Sequence, residues 1–288
     1  MPKILVTGAN GQLGSELREL SRLYDHTYFF TDKEELDITD EEAIRSYVKQ
    51  NAIDTIVNCA AYTAVDKAQS DEALADAINH QAVKYLATIA QESHCKLVHI
   101  STDYVFDGKN YRPYVEDDAT NPQSVYGQTK LLGEKALLHV TLPHSVIIRT
   151  SWVYSSYGAN FVKTMLRLGK EKEFLGVIFD QVGTPTYARD LAKAILDMLP
   201  HIDNAQTQIY HYSNEGVCSW YDFAKEIMKS AKLTCKVVPI ETVSYPTPAK
   251  RPHYSLLNKS KIKQAYALEI PHWQESLHAC LRHMGEER

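Results

Sequence analysis

Lys3-Ile-Leu-Val-Thr-Gly8-Ala-Asn-Gly11-Gln-Leu-Gly14 decides the reading of the fold. An apolar run, Lys3 to Val6, has the length and composition of a buried strand and ends at a turn of three glycines spaced G-x-x-G-x-x-G. From Gln12 to about Tyr24, Leu13, Leu17, Leu20 and Leu23 recur at a spacing that puts one apolar face on a helix. Strand, glycine turn and helix in that order form a setting for a dinucleotide pyrophosphate: a tight turn, backbone able to approach phosphate, and the positive end of a helix. Such a turn also occurs without a ligand, so the weight of the reading falls on what surrounds it.

Outward from the turn, strand-like and helix-like segments alternate. Tyr28 to Thr31, Thr55 to Cys59, Lys96 to Ile100 and Ser145 to Arg149 read as further strands. Helices are expected at Glu41 to Gln50, Asp71 to Ser93 and Val125 to Val140, which predicts an α/β fold, a Rossmann-like doubly wound parallel sheet. After residue 150 the alternation loosens into helices at Phe161 to Gly169, Asp190 to Leu199, Tyr221 to Ala231 and Trp273 to His283. We expect residues 1–150 to form the dinucleotide-binding core and 151–288 mainly a smaller, interleaved substrate-binding lobe, with some segments returning to the core. The polar stretch 102–123 is too long for a plain connector, and loops of that length usually carry function.

Composition narrows the class. The 288 residues carry 31 Lys+Arg against 36 Asp+Glu, with 44% hydrophobic residues, as in an ordinary globular chain. A net charge of -5 argues against nucleic acid or an anionic membrane as the partner. Cys59, Cys95, Cys218, Cys235 and Cys280 are scattered and include no C-x-x-C pair, which suits a reducing cytoplasm. No apolar run reaches the length of a signal or transmembrane segment, so a cytoplasmic enzyme is expected.

Residues for a cofactor and a reaction fall at the expected strand ends. Asp32, 18 residues past Gly14, can accept from the adenosine ribose hydroxyls and disfavours a 2′-phosphate, whereas Lys33 beside it would attract one. NADPH and NADH both stay open. Asp37 and Ile38 are placed to bracket the adenine, and Ala60-Ala-Tyr-Thr63 offers small residues where the cofactor passes. Tyr126-Gly-Gln-Thr-Lys130 sets a phenol and an ammonium on one helix face, where the cation can lower the phenol's pKa and hold the nicotinamide ribose. Thr102, at the end of strand four, can hydrogen-bond the substrate oxygen that Tyr126 protonates. Trp152 offers a flat wall for a deoxysugar, and Arg251, between prolines, a fork for a diphosphate.

With these residues in hand the chain resembles the extended short-chain dehydrogenases/reductases, whose glycine spacing it shares, and within them the dTDP-4-dehydrorhamnose reductase family. Arg149-Thr-Ser-Trp-Val-Tyr154, Asp180-Gln-Val-Gly-Thr-Pro-Thr186 and Tyr245-Pro-Thr-Pro-Ala-Lys-Arg-Pro252 carry the narrower likeness. The resemblance implies hydride transfer from a nicotinamide to the C4 ketone of dTDP-4-dehydro-L-rhamnose, with Tyr126 as proton donor, Lys130 as its partner and Thr102 assisting. It implies that Gly8, Gly11, Gln12, Leu13 and Gly14 hold the pyrophosphate and that Asp32, Lys33, Asp37, Ile38, Ala61, Tyr62, Thr63, Tyr126 and Lys130 hold the rest of the cofactor. Thr102, Asp103 and Trp152 fall to the sugar nucleotide, to which the reading of the residues themselves adds Arg251.

Other superfamily members, epimerases and dehydratases, recycle the hydride internally. A dehydratase generally needs an acid or base pair where Thr102 is followed by Asp103-Tyr104. The methionine adenosyltransferase regulatory subunit also resembles this reductase, but intact Thr102, Tyr126 and Lys130 favour catalysis. Monomer and homodimer are both open. Some family members bind Mg²⁺ at a dimer interface through glutamates; Glu16 matches one such position, but Arg189 stands where a second carboxylate is needed. No metal is therefore expected, and Glu16 and Arg189 should form at most a surface ion pair.

Overall fold

The computed structural model describes residues 1–287. A six-stranded parallel sheet is built from β1 (Lys3–Thr7), β2 (Thr27–Thr31), β3 (Thr55–Asn58), β4 (Lys96–Thr102), β5 (Ser145–Thr150) and β6 (Gln208–His211), in the order β6-β5-β4-β3-β1-β2. β2 lies on one side of β1 and β3 on the other, so the connections diverge there and open a crevice at the strands' carboxyl ends. Strands such as β5, Ser-Val-Ile-Ile-Arg-Thr, are buried along their whole length, as parallel strands covered on both faces require.

One face of the sheet is covered by α1 (Gln12–Leu20) and the helix Ala188–Met198, whose Leu191, Ile195 and Met198 pack with Leu13, Leu17 and Leu20. The other is covered by Glu41–Asn51, Ala82–Glu92 and α2 (Val125–Val140), through Ile44, Val48, Leu86 and Leu137. A separate core, with Val162, Phe223, Ile227, Trp273 and Leu277, forms the small lobe.

Two expectations are corrected. The first helix ends at Leu20 and tightens into a 3₁₀ turn, Ser21–Leu23, which turns Leu23 outward to 78% exposure, off the buried face. The long helix is interrupted by a π-helical turn, Ala77–Gln81, where the Asn79 amide bonds both the backbone N–H and C=O of Tyr62. β6 and the helix Ala188–Met198, both from the second half of the chain, complete the sheet and its cover.

Ser124 caps α2 by accepting from the Gly127 N–H at 3.2 Å. A Cβ at Gly127 would lie 2.3 Å from the Tyr104 carbonyl, so glycine lets α2 lie against the chain leaving β4. That contact aims Tyr126 and Lys130 at the crevice.

Candidate active site

β1 delivers the chain to Gly8 at φ +64, where a Cβ would lie 2.6 Å from the Ala60 backbone; at Gly14 it would lie 2.4 Å from the Gly8 carbonyl. Gly11 caps α1 with no side-chain bond, and no acidic residue stands in the first turn, so the helix's positive end is left for an anion. A dinucleotide pyrophosphate fits this cradle. At the end of β2, Asp32 accepts the Asn10 N–H at 3.0 Å and the Lys33 N–H at 2.8 Å, so its carboxylate also fixes the glycine turn. The hydroxyl and N–H of Thr39 hold the Asp37 carboxyl below the usual range.

The cleft of about 780 Å³ is lined by Gly8, Gly11, Gln12, Leu13, Asp32, Lys33, Asp37, Ile38, Ala61, Thr63, Thr102, Asp103, Tyr126, Lys130 and Trp152. Three expected residues do not line it. Gly14 lies behind the turn as a packing contact. Tyr62 donates its hydroxyl to Asp71 at 3.2 Å while Asn79 clamps its backbone. Arg251 is forked on Asp66, at 3.0 and 2.7 Å.

Lys130 is 1% exposed; its Nζ donates to the Ile100 carbonyl at 2.6 Å and lies 3.5 Å from His99 Nε2. Burial lowers the Lys130 pKa to about 8, against the pull of Glu134 and Cys59. Burial also pushes Tyr126 up to about 12, the Asp103 charge adding to it and a hydrogen bond with Thr102 opposing it. The sequence reading has Lys130 lowering the Tyr126 pKa; the opposing influence on Tyr126 comes instead from Thr102, and desolvation of the fully buried phenol is the largest effect.

Thr102 donates its hydroxyl to Asp103 at 3.0 Å and accepts the Tyr104 N–H at 3.2 Å. Asp103 is 2% exposed, its second oxygen has no partner, and burial raises its pKa to about 7. Trp152 holds φ +48, a costly conformation for a bulky residue, and stacks on Trp220 at 3.6 Å between centroids. Trp220 opens the small lobe's helix Trp220–Ser230, so the two indoles join that lobe to the end of β5.

The sequence reading missed the segment 153–160. Val153, Gly158, Ala159 and Asn160 line the cleft, and the Asn160 amide donates to the Gln12 side chain at 3.0 Å, tying the glycine turn to the small lobe. Only Asn160 carried a signal, as the cap of the helix Phe161–Glu171.

Glu16 and Arg189 pair at 3.1 Å, but not on the surface: Glu16 is fully buried and also accepts from Ser155 at 2.6 Å. It lies on the face of α1 turned toward Ala188–Met198. A guanidinium on that carboxylate does not fit a divalent cation, and among the described residues no cluster of three or more His, Cys, Asp or Glu has metal-binding geometry. No described helix is long and apolar enough to cross a membrane.

Residues 2–286 match the family model described as the RmlD substrate binding domain. The spore coat polysaccharide biosynthesis protein SpsK of Bacillus subtilis is 41% identical, over 98% of this chain and 98% of that protein. The dTDP-4-dehydrorhamnose reductase of Escherichia coli is 44% identical, over 94% of each. This chain belongs to the dTDP-4-dehydrorhamnose reductase family. A solved reductase of the family, from Bacillus anthracis in complex with NADP, superposes with a TM-score of 0.92 at 38% identity, over 98% of this chain and 100% of that one. Likeness to the dTDP-4-dehydrorhamnose reductase family thus runs through sheet and small lobe alike.

Proposed function

We propose that the protein reduces the C4 ketone of dTDP-4-dehydro-L-rhamnose to dTDP-L-rhamnose with NADPH or NADH. The observation that carries this is the meeting, in one cleft, of the glycine turn with Thr102, Tyr126 and Lys130. The reductase activity named for the Escherichia coli relative and the NADP bound by the Bacillus anthracis one support the choice of substrate and cofactor class.

In this reading Gly8, Gly11, Gln12 and Leu13 cradle the pyrophosphate, Asp32 and Lys33 meet the adenosine ribose, and Asp37 and Ile38 flank the adenine. Ala61 and Thr63 border the cofactor's middle. The bound nicotinamide supplies a hydride to the ketone carbon. Tyr126 gives its hydroxyl proton to the ketone oxygen as negative charge develops there, and the Thr102 hydroxyl, turning from Asp103, donates a hydrogen bond to the same oxygen. Lys130 holds the nicotinamide ribose and returns a proton to Tyr126. Asp103 and Trp152 bound the sugar, and the lobe beyond residue 150 forms the sugar-nucleotide side of the cleft. Its stacked indoles and the Gln12–Asn160 bond support that division.

The test is direct. Purified protein, dTDP-4-dehydro-L-rhamnose and NADPH or NADH should give loss of nicotinamide absorbance with stoichiometric dTDP-L-rhamnose. Absence of turnover with both cofactors would overturn the assignment.

A further inference from the structure

Beneath Lys130 lies a row of side chains that the reaction above leaves unused. Thr7 ends β1, Asn58 ends β3 and His99 lies in β4, and the parallel register sets Thr7 beside Asn58 and Asn58 beside His99. All three are buried, His99 completely. Thr7 Oγ1 lies 2.7 Å from Asn58 Oδ1, Asn58 Nδ2 lies 3.1 Å from His99 Nδ1, and His99 Nε2 lies 3.5 Å from Lys130 Nζ.

With the Asn58 amide oriented Oδ1 toward Thr7 and Nδ2 toward His99, the donor inventory places the protons. The buried Thr7 hydroxyl donates to Asn58 Oδ1, which turns the amide's NH₂ toward His99. An NH₂ only donates, so His99 Nδ1 must accept, and a neutral imidazole then carries its proton on Nε2. The ring is neutral, because burial and the nearby Lys130 charge hold its pKa well below the ordinary value. Its Nε2–H therefore faces Lys130 Nζ. An ammonium there sets donor against donor; an uncharged amine accepts from Nε2–H and still donates to the Ile100 carbonyl.

We propose that His99 is a positioning residue for Lys130: its Nε2–H, fixed by Asn58 and Thr7, favours the amine over the ammonium, so that Lys130 exchanges its proton instead of standing as a permanent cation. The remaining groups around Lys130 leave this role to His99. Glu134, on the same helix, favours the ammonium, but its carboxylate is bound by Arg149 and Ser101. Cys59, at the end of β3, is held as a neutral thiol by burial, its pKa near 12, and Tyr126 as a neutral phenol. The consequence for turnover rests on the proposed reductase reaction. The Tyr126 phenolate left after proton transfer takes a proton from the Lys130 ammonium, the resulting amine is the form His99 satisfies, and solvent replaces the proton.

The deciding measurements, the His99 and Lys130 titrations, need neither cofactor nor substrate, so their failure is separate from failure of the reductase assignment. Nitrogen-15 histidine and carbon-13 lysine spectra of the full chain are followed with pH. The His99 signal is identified by its loss in His99→Gln and the Lys130 signal by its loss in Lys130→Arg. His99 should be neutral with its proton on Nε2 from about pH 6 to 9. Thr7→Val removes the hydroxyl donor without adding charge, so the Asn58 amide is free to turn, the His99 proton should move to Nδ1, and the Lys130 midpoint should rise by about one unit. The alkaline limb of kcat/KM should rise with it, which loss of packing alone would not produce. A wild-type His99 protonated on Nδ1, or a Lys130 midpoint that stays within about 0.3 unit in Thr7→Val, overturns the proposal. If Thr7→Val does not fold, Asn58→Asp serves. Its carboxylate only accepts, imposing the same tautomer, and an unmoved Lys130 midpoint there overturns the proposal equally.

Discussion

Asp66 and Arg251, 185 positions apart, face each other as a two-point ion pair at 3.0 and 2.7 Å, and Asp66 also accepts the Ala249 N–H at 3.1 Å. The pair fastens the proline-bearing segment 245–252 to the short helix Val65–Ala68, whose first residue lines the cleft. The hydrogen bond from Arg251 is the largest influence holding the Asp66 carboxyl below its ordinary range. A fork expected for a diphosphate is thus met by a carboxylate of the chain itself.

Asp66→Asn removes the charge of this clasp and keeps one acceptor. Part-exposed pairs contribute only about 0 to 1 kcal/mol, so thermal stability should change little. Release of the segment should instead appear as a rise of roughly three- to tenfold in KM for the sugar nucleotide with kcat nearly kept, the signature of lost ground-state binding. An unchanged KM would separate the clasp from the site.

Tyr126→Phe deletes one hydroxyl from a buried ring. Turnover should fall by about 10² to 10⁴ with cofactor affinity nearly unchanged, the usual worth of a positioned acid. Retention of more than about a tenth of the activity would remove Tyr126 from the mechanism. Lys130→Met should lower both turnover and cofactor affinity, since Lys130 serves the acid and the ribose.

Cofactor choice is read where Asp32 and Lys33 meet the ribose. Asp32→Asn keeps an acceptor for the Asn10 N–H, sparing the glycine turn, and should shift the kcat/KM ratio toward NADPH; Lys33→Ala should shift it toward NADH. Flat ratios in both variants would put the 2′ selection elsewhere.

Asp103 should make stability depend on pH. Its native pKa, about 7, lies above the ordinary 3.8, so the native state holds this proton more tightly than the unfolded chain does. The contribution is complete below pH 3.8 and is lost as pH rises to about 7, on the order of 4 kcal/mol over that span. Asp103→Asn should flatten this part of the profile and exceed wild type in stability above pH 7. Urea unfolding of both proteins at several pH values measures it, and parallel profiles would count against a buried protonated carboxyl.

Local signals made the sheet and the glycine turn legible. β1 to β5 are short apolar runs alternating with helical segments, and Gly8 and Gly14 are glycines because a Cβ has nowhere to go. What escaped depends on partners distant in sequence. β6 is only Gln208–His211 and takes its place by pairing with β5. Asn79 has no helical signal for clamping Tyr62, and Asn160 reaches Gln12 across 148 positions. The protonation of Tyr126 and Lys130 escaped for another reason: an i,i+4 spacing gives a shared helix face but not depth, and burial is the largest influence on both groups.

Arg189 joins two carboxylates of α1, Glu16 at 3.1 Å and Glu19 at 2.9 Å, and Tyr157 adds its hydroxyl to Glu19 at 2.8 Å. Glu16 is fully buried, so its charge depends on Arg189 and Ser155 for compensation. Arg189→Met should therefore cost about 3 to 5 kcal/mol, the loss expected when a buried carboxylate keeps its charge without its cation. The double variant Glu16→Gln with Arg189→Met should recover much of that loss, because no unpaired charge is left behind. With the guanidinium in place no divalent cation is needed, so dialysis against EDTA should leave the thermal midpoint and the sedimentation coefficient unchanged. A drop in either that Mg²⁺ alone restores would show that Arg189 yields the carboxylates to a metal in solution.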